Sequence, residues 1–141
     1  MASNAEKAVE IFKSVVGKPE TPGEWFQVTQ ERINQFADCT LDHQFIHVDP
    51  EKSAQLSPYK VTIAHGFLTL SLLTHLSTSV PNATPEAYSG IMMGVNYGFE
   101  KVRFVNAVKV NSKIRLQRKL ADVQIKGTNN VQLTHECTIE I

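Results

Sequence analysis

The chain has 141 residues, the size of one domain, and residues 1–141 read as a single unit without repeats or low-complexity runs. Fourteen basic residues balance fourteen acidic ones, which removes the usual reason to expect nucleic acid or an anionic membrane as a partner. Cys39 and Cys137 are too few for a disulfide framework and lack a metal-binding spacing, so both read as reduced thiols in a cytoplasmic protein.

The first residues, MASNAEKAVEIFKSVVGKP, lack the basic start and continuous apolar run of a signal peptide. Ala5, Ala8, Val9, Phe12, Val15 and Val16 instead recur at helical spacing, which predicts a helix over 4–16 stopped by Gly17 and Pro19. After Thr21-Pro22-Gly23, the run Trp25–Val28 is a short strand candidate. Thr29 then caps a helix whose buried face is Ile33, Phe36 and Ala37. Asp49 followed by Pro50 starts another helix, to about Leu56, which Ser57-Pro58-Tyr59 breaks.

From Ile63 to Val80, apolar residues fall on nearly every side, which predicts one long buried helix ended by Pro81. Thr62, His65, Thr69, Ser71, Thr74 and His75 make the stretch 61–80 too polar to span a membrane. Residues 81–85 read as a loop. The period then changes: Ile91–Phe99 and Lys101–Val110 are strand-like. Lys113–Ile125 and Val131–Ile141 flank a hairpin turn, Gly127-Thr128-Asn129-Asn130. In the last strand Val131, Leu133, His135, Cys137, Ile139 and Ile141 alternate onto one face. The class expected is α+β: extra N-terminal helices, then an antiparallel sheet curved around a long central helix.

Chemistry concentrates between Phe36 and Ser71. Asp42 stands five residues before His47, and Ala64-His65-Gly66 opens the apolar run. A carboxylate and an imidazole can hold one water between them, and a helix start favours developing negative charge. On spacing alone a turn is the better account of Asp42 and a satisfied core histidine the better account of His47.

The residues FADCTLDHQFIHVDP, followed by TIAHGFLTLSLL, resemble the MaoC-like dehydratases, the (R)-specific enoyl-CoA hydratases, and within them the nodulation-protein-N-like branch. Asn96-Tyr97-Gly98-Phe99-Glu100-Lys101-Val102-Arg103-Phe104 is similar to a later segment of that branch, so the likeness runs from about Trp25 to Ile141. The resemblance implies a hot-dog fold, a homodimer, and reversible hydration of a trans-2-enoyl-CoA thioester to the (R)-3-hydroxyacyl thioester. It puts the catalytic pair on Asp42 and His47 and the oxyanion donor on the Gly66 amide.

Ser71 and Asn96 are further candidates for substrate contact, with a helix back-bond and a strand polar contact as their ordinary alternatives. His65 reads as a residue bonding the loop, His43 and His75 as surface residues, and His135 as a buried, satisfied histidine. Lys101, Arg103 and Lys109 read as a solvated sheet face rather than a coenzyme A phosphate site. Tyr59 and Phe67 border either the acyl chain or the core. Hydration moves no electrons, and no glycine-rich nucleotide loop or metal cluster appears, so no cofactor is expected.

The family often reads Gly-Asp-x-Asn-Pro-x-His where this chain has Leu41-Asp42-His43-Gln44-Phe45-Ile46-His47. Phe104-Val105-Asn106-Ala107 lacks the family's prolines. Relatives usually continue past the hairpin, so a sheet ending at Ile141 is expected to lack an edge strand. Two other readings stay open: a hot-dog acyl-CoA thioesterase and a non-catalytic acyl-thioester-binding protein.

Overall fold

A computed structural model describes residues 1–141. Ser3 opens helix α1 (Asn4–Lys13) with a capping box: its hydroxyl accepts the Glu6 amide while the Glu6 carboxylate accepts the Ser3 amide. Ala5, Ala8, Val9 and Phe12 form its buried stripe. The helix stops short of the expected residue 16, and Gly17 turns the chain with a φ of +80°. The amides of Gly17, Glu20 and Gly23 then donate to the carbonyls of Leu120, Arg118 and Leu116, laying this segment along a long strand. Strand β1 (Phe26–Gln27) extends the same edge, pairing antiparallel with Ile114 and Lys113.

Helices α2 (Gln30–Thr40) and α4 (Pro50–Leu56) form where their start signals put them. The Thr29 hydroxyl accepts the Arg32 amide and the Asp49 carboxylate accepts the Lys52 amide, with Pro50 at the first helical position. Between them lies a single helical turn, α3 (Phe45–Val48), which no start signal announces.

The central helix departs from expectation. Ile63 and Ala64 are extended, with Ile63 bridged to Lys109, and the helix begins at Gly66. It runs as α5 (Gly66–Ser71) and α6 (Leu73–Ser77), which meet at Leu72. Burial is not all round. Leu68, Leu72, Leu76 and Val80 form one buried stripe, whereas Phe67, Ser71, Thr74 and His75 are exposed. The helix has one layer to pack against in a single chain, so only one side is covered.

Strands β2 (Lys113–Lys126) and β3 (Asn130–Glu140) form the expected hairpin, in register from Arg115 opposite Glu140 to Lys126 opposite Asn130. An irregularity falls between Leu120 and Asp122, and Gly127 takes a φ of +65° in the turn. The sheet order is β1-β2-β3, with β3 at the edge. The two strands expected over Ile91–Phe99 and Lys101–Val110 are not formed; only Lys109 makes a bridge. A strand exists by pairing: Val108 and Val110 bond Ala64 and Thr62 around the single Lys109 bridge, and residues 91–107 pair with no strand of the chain. For the same reason the apolar face of β3 is only partly covered, and His135 is half-buried rather than enclosed.

Two cores result. Val28, Ile33, Ala64, Leu68, Leu72, Leu76, Val108, Ile114 and Leu116 enclose the α2–α5 side, and Phe12, Val9, Leu120 and Val123 the α1 side. Arg118 lies on β2 between Leu116 of the first and Leu120 of the second. Its guanidinium grips Glu20 at 2.7 and 3.2 Å, a two-pronged pair that meets the needs of a charge placed among apolar neighbours.

Candidate active site

The end of α2 sets the position of Asp42. Leu41 closes the helix in the left-handed conformation, φ +65°, a geometry that glycine adopts more easily. That reversal presents Asp42 on a short turn, where its carboxylate accepts only a long 3.4 Å contact from the Gln44 amide. The side chain is exposed and keeps acceptor capacity for another partner.

His47 sits on α3 and is 7% exposed. Its Nδ1 lies 2.7 Å from the Ile63 carbonyl. A carbonyl only accepts, so Nδ1 carries the hydrogen and the lone pair is on Nε2. Burial pushes the proton affinity of His47 below the ordinary imidazole value. The Ile63 bond opposes that shift, His65 adds to it, and Asp42 opposes it. The ring is thereby kept as a neutral base.

Two residues that sequence reasoning missed hold this base. The Gln30 side chain donates to the His47 carbonyl at 2.8 Å and accepts from the Thr62 hydroxyl at 2.5 Å. Thr62 adjoins Ile63, the residue whose carbonyl fixes the His47 ring, and the Ile63 amide donates to the Ile46 carbonyl. Gln30 therefore ties together the main chain of the base and the segment that orients its ring. Nothing in the sequence marks it, because a glutamine at a helix start is an ordinary polar residue.

His65, 2% exposed, lies beside His47 with ring centroids 3.9 Å apart and planes tilted by 25°. One donor atom each from Asp42, His47 and His65 falls within 4.8 Å of the others. A metal ion would need those lone pairs to converge at about 2.0–2.1 Å from each nitrogen. Imidazole lone pairs lie in the ring plane, and two stacked rings send theirs along near-parallel planes. Those directions do not converge on one point between the rings.

Gly66 follows His65 as the first residue of α5, and its amide has no acceptor within the helix. A Cβ placed there would meet the Phe104 ring at 3.1 Å, so a larger residue would have to push that ring aside. Phe104 and Phe67, both exposed, meet edge-on 5.9 Å apart above it. Phe67 and Tyr59 are thus surface residues of the chain, not core.

The other candidates lie apart. The Ser71 hydroxyl donates to the Phe67 carbonyl at 2.7 Å, the back-bond of an ordinary helical serine. Asn96 is exposed on the unpaired 91–99 segment, away from the Asp42–His47 turn in the chain and joined to it by no hydrogen bond. His43 pairs with Asp38 at 2.9 Å on the surface, and His75 is exposed against Phe26. Lys101, Arg103 and Lys109 are all exposed, with Arg103 turned onto the Val102 carbonyl. No helix is long and apolar enough to cross a membrane.

The chain packs its central helix on one side against an antiparallel sheet and brings a carboxylate, an imidazole and a helix start together at one end of it. Its backbone superposes on the monoamine oxidase regulatory protein of Archaeoglobus fulgius with a TM-score of 0.70 at 23% identity, covering 92% of this chain and 82% of that one. It superposes on the (R)-hydratase of A. caviae involved in PHA biosynthesis with a TM-score of 0.62 at 19% identity, covering 88% and 84%. These likenesses establish the hot-dog fold.

Residues 12–140 match the model of the MaoC-like domain, and the chain belongs to that family, the family of the MaoC-like dehydratases, which are hydro-lyases. It is similar to nodulation protein N of Rhizobium leguminosarum bv. viciae, 44% identical over 137 residues that cover 96% of this chain and 82% of that protein. It is likewise similar to the 3-hydroxyacyl-thioester dehydratase Z of Mycobacterium tuberculosis strain H37Rv, 39% identical over 135 residues, 96% and 85% of the two chains.

Proposed function

We propose that the protein is an (R)-specific enoyl-CoA hydratase, adding water reversibly across a trans-2-enoyl-CoA thioester. The observation that carries this reading is the juxtaposition of His47, whose ring nitrogen lies within 4.8 Å of an Asp42 carboxylate oxygen, with the free Gly66 amide at the helix start that follows His65. A water held between Asp42 and His47 attacks C3 and gives its proton to His47 Nε2, while Asp42 accepts the water's other hydrogen and orients it. The electron pair moves to the thioester oxygen, where the Gly66 amide donates a hydrogen bond to the developing enolate. His47 then returns the proton to C2, so the substrate gains one water and the side chains end as they began. The 3-hydroxyacyl-thioester named for a relative and the hydratase among the fold neighbours support the substrate class and the hand. Ser71 and Asn96 contribute to substrate contact only if binding reorders them.

The test is a short trans-2-enoyl-CoA, followed by loss of its conjugated absorbance and by a thiol reagent. The expected result is loss of absorbance without thiol release. Thiol release would overturn the reading in favour of a thioesterase, and neither signal would favour an acyl-thioester-binding protein.

The working unit is a homodimer in this reading. Residues 91–99, IMMGVNYGF, carry no charge, and Met92 and Tyr97 are 95% and 87% exposed. Beside them Phe99, Phe104, Val105 and Phe67 are exposed too, and β3 has a free edge. So much uncovered apolar surface needs a partner, and a second neutral copy brings a matching unpaired segment without charge repulsion. Light scattering is expected to give twice the chain mass; a monomer at micromolar concentration would overturn this. The free thiols of Cys39 and Cys137, both exposed, fit a reducing cytoplasmic setting.

A further inference from the structure

His65 makes three contacts that together exceed what a packing residue needs. Its Nε2 lies 3.0 Å from the Asp42 carbonyl, which only accepts, so Nε2 carries the hydrogen. Its ring is stacked on His47 at 3.9 Å and flanked by Phe36 at 4.9 Å. Its Nδ1 is buried and has no hydrogen-bond partner. A buried lone pair without a partner costs stability, a cost this site tolerates. A flat ring with an N–H at its far end answers both demands at once: it reaches the Asp42 main chain and backs the His47 ring.

We infer that His65 is a positioning residue on which turnover depends, its Nε2–H fixing the main chain of Asp42 while its ring face fixes the ring of His47. The carboxylate and the base come from separate pieces of chain, the turn after α2 and helix α3. Asp42 has no firm side-chain bond of its own, only the 3.4 Å contact from Gln44. His65, as the residue preceding Gly66, therefore sets both groups relative to the amide that receives the oxyanion. This inference rests on the hydratase reading for its catalytic consequence, while the pin itself is a structural property that can be measured separately.

The experiment compares the wild type with His65→Phe, which keeps a flat ring but loses the N–H, and His65→Gln, which keeps an N–H at the same reach. Hydrogen exchange is read at the amides of Leu41–Gln44, and kcat and KM on a short enoyl-CoA. His65→Phe is expected to speed exchange in that turn about tenfold. It should also lower kcat by about 10–100-fold with KM within about threefold. His65→Gln is expected to restore exchange protection and part of kcat.

If His65→Phe is folded and exchange stays as in the wild type, the pin is overturned whatever the activity. If exchange rises and kcat does not fall, the dependence of turnover on it is overturned. If His65→Phe does not fold, His65→Gln decides alone: a wild-type exchange pattern with lowered kcat supports the coupling through the ring, and unchanged kcat overturns it. A wild type without hydratase activity would refute the hydratase reading and with it the catalytic half of the inference, leaving the exchange result to judge the pin.

Discussion

Replacing His47 with Gln is expected to lower kcat for enoyl-CoA hydration by about 10²–10⁴-fold. Glutamine fills much of the same space but has no titratable nitrogen lone pair, so water loses the group that takes its proton. KM should change little, because the loss is confined to the transition state. The pH dependence gives a second readout. Burial lowers the proton affinity of His47, so the ring stays a neutral base to lower pH than an exposed imidazole, whose midpoint is about 6.5. Wild-type kcat/KM should therefore hold through pH 6.5 and fall at lower pH, and the residual kcat/KM of the variant should lack that fall. The same displacement predicts that stability declines as pH drops below about 6.5, since the unfolded chain then takes the proton more readily than the folded one. A variant within threefold of wild type, or one that keeps the acid limb, would remove His47 from the mechanism.

The fold was legible where the signal is local. Thr29 and Asp49-Pro50 start helices because their caps bond amides three residues away, and Gly127 turns the hairpin within its own span. The central helix was overextended because an apolar run says which residues avoid water but not which side a partner layer covers. Ile63 and Ala64 went to the sheet side, and Phe67 stayed in the open. The 91–110 segment departs from expectation for a related reason: alternation describes a strand that is paired, and within the chain only Lys109 forms a bridge. For the site, Asp42 and His47 stood out through the whole pattern around them rather than through their spacing. The family glycine opposite Leu41 also has its reason, since residue 41 takes a positive φ. Gln30 and Thr62 were beyond reach, because their bonds join residues 17 and 32 positions apart and need the tertiary fold to exist.

Replacing Asp42 with Asn is expected to lower kcat by about 10²-fold or more while leaving the fold intact. The case for an intact fold is geometric. The carboxylate is exposed, forms no ion pair, and accepts one long contact that an asparagine oxygen would keep. The turn itself is held through the main-chain carbonyl, which the substitution leaves bonded to His65. The thermal midpoint should therefore move by no more than about 2 °C, the size associated with roughly 0.5 kcal/mol in a domain of this length. The catalytic loss follows from what the amide cannot do. It offers one acceptor oxygen in place of two, and its NH₂ can turn toward the water as a donor, misorienting the hydrogen that should point to His47. Two groups that act on one water also act as a unit, so the double variant Asp42→Asn with His47→Gln should fall little below the slower single variant. Losses that instead multiply would mean the two side chains work on different steps, and an Asp42→Asn rate within threefold of wild type would exclude the carboxylate from water activation.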